Sequence, residues 1–136
     1  MLAPPGVEVP MTCPFCPNRQ LDAQIVLRND LALFVQDERY QGALKHSGLI
    51  VPVRHVETPF GLSEAEILAT FRLLAAVKAW LDERFAPDGY NLGWNCGAAA
   101  GQEVFHAHLH VMPRFRHEPL AGQGIRALLK SEANAW

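Results

Sequence analysis

Val104-Phe105-His106-Ala107-His108-Leu109-His110-Val111-Met112 sets a histidine at every second position and a small or apolar residue between each pair. On a β-strand successive side chains point to opposite faces, so this spacing collects the three imidazoles on one face and Ala107, Leu109 and Val111 on the other. On a helix the same spacing would scatter them over more than half the circumference. The β-branched and aromatic residues on either side favour the strand, predicted over residues 104–112. A lone histidine on an apolar strand is usually a packed core residue; three in strict alternation are not. Neutral imidazole is a nucleophile and leaving group near pH 7, and also a metal ligand. The histidine face therefore reads as a nucleophile site, a metal site or both.

Working outward, Tyr90–Cys96 reads as a strand joined to the histidine strand by the small-residue loop Gly97-Ala98-Ala99-Ala100-Gly101. Upstream, Ser63-Glu64-Ala65-Glu66 is a capping box that opens a helix. Behind it Ile67, Phe71, Leu74, Leu81 and Phe85 recur at helical spacing, widened by Leu73, Val77 and Trp80, until Pro87-Asp88-Gly89 stops the helix. Gln24–Arg28 and Leu31–Gln36 are short apolar segments around Asn29-Asp30, a hairpin signal. Ser47–Val53 is a further strand in which Pro52 marks an edge or an end. After Pro113 comes a tail with Arg114, Arg116, Arg126 and Lys130, expected on a solvated face, and a short helix from about Ile125. Strands, one long helix and strands again make an α+β domain with a mainly antiparallel sheet. We expect one domain over residues 13–136 behind a loose leader over 1–12.

Composition agrees with a globular chain. Of 136 residues, 49% are hydrophobic and 19% charged, which excludes a disordered polyelectrolyte. The net charge of −2 argues against a nucleic acid polymer as partner but leaves small anions open. No apolar run approaches the roughly 20 residues that span a bilayer, and the Pro-rich start lacks the basic and apolar regions of a signal peptide. A cytoplasmic location and no membrane contact are the expectations. Three cysteines, an odd number, do not suggest a disulfide framework. Cys13-Pro14-Phe15-Cys16 suggests metal or redox chemistry in a reducing compartment, or two free thiols on the leader; Cys96 reads as a packing residue.

The run from Phe105 to Arg114 resembles the signature of the histidine triad (HIT) family, in which three histidines alternate with apolar residues. Gly101-Gln102-Glu103-Val104 is similar to the Gly-Gln-Ser/Thr-Val that leads into that signature. Residues 88–95 resemble the preceding strand, and Leu49–His55 resembles the family's Leu-Val-Ile-Pro-x-x-His segment. The blocks stand in family order from about Cys13 to Arg114. The resemblance implies an enzyme, often a homodimer, that splits a nucleotide's α-phosphate bond through a nucleotidyl-histidine intermediate. It implies His108 as nucleophile, His110 as a catalytic residue that helps hold the phosphate, and Asn95 and Gln102 in the phosphate pocket. Covalent catalysis of this kind replaces one hard displacement with two easier ones.

Some members of the family hold a structural zinc, and the matching residues here are Cys13, Cys16, His55 and His106. A zinc with two sulfur and two nitrogen ligands has no open position and is a structural site. The alternatives at this stage are a catalytic zinc on the three alternating histidines and a catalytically silent nucleotide-binding module. Two departures from the family pattern stand out. Glu103 replaces the Ser/Thr whose hydroxyl meets phosphate; on a regular strand it shares the Phe105 and Ala107 side and points away from the imidazoles. Ser47 replaces the histidine of the Pro-Gly-His segment, with His46 offset by one.

Overall fold

Asn29 closes the first hairpin with its own side chain: its Oδ1 accepts from the N–H groups of Leu31 and Ala32 at 3.1 and 2.9 Å, an Asx turn. It joins strands β1 (Ile25–Arg28) and β2 (Ala32–Val35) in the computed structural model, which describes residues 13–136. The expected leader over 1–12 lies outside the described residues. Strands β3 (Gly48–Pro52), β4 (Gly89–Trp94) and β5 (Leu109–Arg114) complete an antiparallel sheet in the order β1-β2-β3-β5-β4. The α+β architecture expected from the sequence is thus the one observed. Pro52 ends an interior strand, as a residue without an N–H must.

Three boundaries differ from expectation. The histidine strand begins at Leu109, so His110 alone of the three lies in the ladder, and His106 and His108 precede it. The register pairs Ile50 with Leu109; continued, it would set Pro52 opposite Ala107, where Pro52 has no N–H to offer. The Ala107 N–H instead donates to the Val56 carbonyl at 2.7 Å. The strand expected over Tyr90–Cys96 ends at Trp94. The expected C-terminal helix is a pair of 3₁₀ segments, Ile125–Lys130 and Glu132–Asn134. Two short helices were not foreseen: α1 (Arg19–Gln24), capped by Asn18, and α2 (Glu38–Gln41), capped by Asp37.

The long helix α3 (Glu64–Phe85) carries the capping box and ends at Ala86, a C-cap in the left-handed conformation at φ 47°. Its buried stripe is Glu66, Thr70, Leu73, Val77 and Leu81, whereas Ile67 and Phe71 are exposed. The expected stripe is therefore rotated at its N-terminal end. There Glu66 turns inward to meet Arg54, at 2.7 Å from Oε1 and 3.1 Å from Oε2. That contact carries the polar residue, rather than its apolar neighbour, onto the sheet side.

Each face of the sheet has its own core. Ala32, Phe34, Ile50, Leu109 and Val111 pack beneath Leu73, Val77 and Leu81 of α3. Leu33, Val35, Leu49 and Val51 pack on the other side against Phe15 and Leu21. Burial on both faces makes β2 and β3 continuous apolar runs rather than alternating ones. The second face is the one from which His110 projects.

Candidate functional site

The histidine segment divides between two places. At its N-terminal end His106 is fully buried and joins Cys13, Cys16 and His55, whose ligand atoms lie within 4.8 Å of one another. Cys13 Sγ is 3.5 Å and Cys16 Sγ 3.6 Å from His106 Nδ1. Cys16 Sγ is 3.3 Å from His55 Nδ1, and the two Nδ1 atoms are 3.2 Å apart. A tetrahedral zinc, ~2.3 Å from sulfur and ~2.0 Å from nitrogen, separates its ligand atoms by roughly 3.3–3.8 Å. The four residues fit that ion in chemistry and in spacing.

The surroundings prepare the cluster for a cation. His106 Nε2 donates to the Pro52 carbonyl at 2.8 Å, since a carbonyl only accepts; the Nδ1 lone pair is thereby aimed at the sulfurs. Burial pulls the His106 imidazole down to about 4, against the Pro52 carbonyl, and the charges of His55 and His108 act in the same direction. It stays neutral, as a ligand must. Burial, and then the neighbouring Cys13 sulfur, pushes the Cys16 thiol up to about 12. A thiolate here needs a positive charge beside it.

His108 and His110 stand outside the cluster. His108 Nδ1 donates to the His106 carbonyl at 2.8 Å, which leaves the Nε2 lone pair as the reactive position. Its ring lies 5.1 Å from that of His110 and 5.3 Å from that of Phe15, centre to centre. Burial, then the His108 charge, lowers the pKa of His110. His110 Nε2 is buried and has no hydrogen-bond partner among the described residues. It borders a small cavity of about 50 Å³, also lined by Val35, Asp37, Gln41, Ser47 and Leu49.

The remaining expected site residues take different positions. Gln102 is 3% exposed and its amide is committed to the backbone. Its Oε1 accepts from Gly97 N–H at 2.8 Å, and Nε2 donates to the carbonyls of Glu57 and Val104 at 2.7 and 3.0 Å. It fastens the Gly97–Gly101 loop, in which both glycines have positive φ, +88° and +97°. Asn95 is exposed, with its amide against Gly101. Glu103 is exposed too, in a stretch outside any strand, so alternation does not set its direction. His46 turns from the cavity, holding φ at 68° while its ring stacks on Phe85 at 3.6 Å. Arg114 is not a solvated tail residue. It donates to Glu118 at 2.8 Å, to Asn91 at 2.5 Å and to the carbonyls of Gln123 and Leu120, clamping the segment after β5. Asp37 was not singled out in the sequence; the Asp-Glu pair that opens α2 was its signal. It lines the cavity with its carboxylate engaged by Arg39 at 2.5 Å.

Among the described residues no helix is long and apolar enough to cross a membrane. The profile of the HIT domain matches residues 18–117. The protein hit of Bacillus subtilis is 30% identical over 88 residues, which cover 65% of this chain and 58% of that one. An adenylylsulfatase of Arabidopsis thaliana is 30% identical over 100 residues, 72% of this chain and 49% of that one. The chain thus spans about half the length of these curated relatives. The crystal structure of a HIT family protein from Bacillus anthracis superposes with a TM-score of 0.67 at 31% identity, covering 79% of this chain and 76% of that one. A profile that spans most of the chain and a shared fold agree: this chain belongs to the HIT domain family, whose members include hydrolases such as the adenylylsulfatase.

Proposed function

We propose that this chain cleaves a nucleotide conjugate at its α-phosphate, with His108 Nε2 as nucleophile. The observation that carries the reading is the 2.8 Å bond from His108 Nδ1 to the His106 carbonyl, which leaves Nε2 as the ring nitrogen free to react, on a ring next to that of His110. In the first step Nε2 bonds to phosphorus and the bond to the leaving group breaks, its electron pair departing with that group, which takes a proton from solvent. In the second step water attacks the same phosphorus and gives up a proton to solvent, while the P–N bond breaks and its electron pair returns to Nε2, which restores His108. His110 and Asn95 contact the phosphoryl oxygens, where donors stabilise the developing charge. Gln102 acts through the backbone, by holding the Gly97–Gly101 loop.

Cys13, Cys16, His55 and His106 would hold a structural zinc, which ties the start of the described chain to the residues just before the nucleophile. The same geometry favours this over a catalytic zinc on three histidines, because His106 alone of the three turns toward the sulfurs. The reading includes a homodimer: β4 is an outer strand with Leu92 exposed on it, an edge on which a second copy can pair. It also includes a reducing, cytoplasmic compartment, which suits two thiolate ligands. The test is intact mass after incubation with an adenosine 5′-phosphoramidate. The expected result is a transient adenylyl adduct on the wild-type protein and none on His108→Ala. An adduct on the variant would overturn the assignment.

A further inference from the structure

Among the described residues, the buried side-chain polar atoms without a hydrogen-bond partner are Ser47 Oγ and His110 Nε2. Both residues line the same small cavity. Buried polar groups in native proteins are almost always satisfied, so two orphans on one cavity mark a place where something polar binds. Ser47 is only 7% exposed, and its backbone is held on each side. Gln41 Nε2 donates to the Ser47 carbonyl at 3.1 Å, and Gln36 Nε2 donates to the His46 carbonyl at 2.8 Å. His46 itself keeps a left-handed φ of 68°, a conformation unfavourable for a residue with a Cβ, against the Phe85 stack. Next to Ser47, Gly48 runs so close to β2 that an added Cβ would lie 2.5 Å from the Phe34 ring. The hydroxyl is therefore placed by its surroundings.

We propose that Ser47 is a phosphate-binding residue, whose hydroxyl donates to a non-bridging oxygen of the nucleotide's α-phosphate together with His110 Nε2. In this chain that hydroxyl, just ahead of β3, does what the Ser/Thr of the family pattern does ahead of the histidines, where Glu103 now stands exposed. The inference rests on the proposed function for the position of the phosphate, and adds the residue that binds it. Asp37 borders the cavity as well, but its carboxylate is engaged by the Arg39 guanidinium, which offsets its charge toward an anion.

The test is calorimetric titration of wild type, Ser47→Ala and Ser47→Cys with AMP and with adenosine, alongside thermal unfolding. A hydroxyl bonded to an anionic oxygen is worth roughly tenfold or more in affinity. The expected result is a loss of about that size for AMP in both variants, because a thiol is a weak donor. Adenosine affinity should change by less than about twofold, and the unfolding midpoint should stay level or rise, since the group removed has no partner among the described residues. Unchanged AMP affinity in either variant would overturn the proposal, and so would an equal loss for AMP and adenosine. Wild-type protein that binds neither compound would overturn the proposed function, and this inference with it.

Discussion

The two ends of the histidine segment contrast in how their polar atoms are used. Around His106 every donor and acceptor has a partner: Nε2 meets the Pro52 carbonyl, and Nδ1 meets two sulfurs and His55. Around His110, four residues on, Nε2 and the Ser47 hydroxyl meet no partner among the described residues. Saturation marks the first as a place that holds the fold together. The unpartnered atoms at the second are what the proposed phosphate site rests on. His108 lies between them in the chain, its Nδ1 tied to the His106 carbonyl and its ring beside that of His110.

If the contrast holds, removing the closed end should cost most. Zinc binding in such sites is worth on the order of 10 kcal/mol and is part of the folding free energy. Chelation, or Cys16→Ser, should lower the unfolding midpoint by more than about 10 °C, read by circular dichroism with elemental analysis. A chelated protein that unfolds unchanged but stops turning over would reverse the roles of the two ends. The next largest effect falls on activity alone. His108→Ala should lower kcat/KM by about 10⁴-fold or more with the fold intact, since losing a nucleophile removes the covalent route. A residual rate above a tenth of wild type would show that the open end does other chemistry.

A third measurement separates the metal from the frame around it. Arg54, next to His55, binds the Glu66 carboxylate, which also closes the α3 capping box through the Ser63 N–H at 2.9 Å. The Arg54 guanidinium, helped by Ser63, holds the Glu66 carboxyl down at about 2 despite its burial. A pKa lower in the folded state gives stability that is present above the unfolded value, near 4.5, and is lost as pH falls toward 2. Glu66→Gln should therefore destabilise the protein by on the order of 2 kcal/mol at pH 7. In urea unfolding the gap between variant and wild type should narrow from pH 5 down to pH 3. A gap independent of pH would mean that packing, not the charge, makes the contact matter.

The smallest effect is expected at Glu103. A carboxylate 4 Å from a phosphate would cost roughly 4 kcal/mol at an effective dielectric near 20, too much for a working pocket. Glu103 is exposed instead. Glu103→Ser should change kcat/KM by less than about tenfold, or ~1.4 kcal/mol. A hundredfold change either way would bring Glu103 into the open end of the site after all.

Much of this was legible in residue order, because the signals were local. The capping box at Ser63, the Asn29 turn and the two-residue period of the histidines each depend on neighbours a few positions away. What failed was long-range. The α3 stripe rotated because Glu66 finds Arg54, twelve residues upstream, and apolar spacing carries no trace of a partner on another element. The histidine strand started late because Pro52, on a different strand, cannot extend the ladder past Leu109. Arg114 looked like a tail cation until the segment after β5 folded back onto its guanidinium.

The sequence by itself determined the kind of chemistry available: alternating imidazoles, a Cys-x-x-Cys pair, a capped helix and short strands enough for an α+β sheet. Periodicity and residue type are properties of the local chain, and they survive without knowledge of what packs where. Only the tertiary structure decided which imidazole serves the cluster and which faces the cavity, because a histidine's tautomer is set by the acceptor its other nitrogen reaches. For His106 that acceptor is the carbonyl of Pro52, fifty-four residues away. For Ser47 it is the lack of a partner among the described residues, a fact about the folded interior that no reading of neighbours in the chain contains.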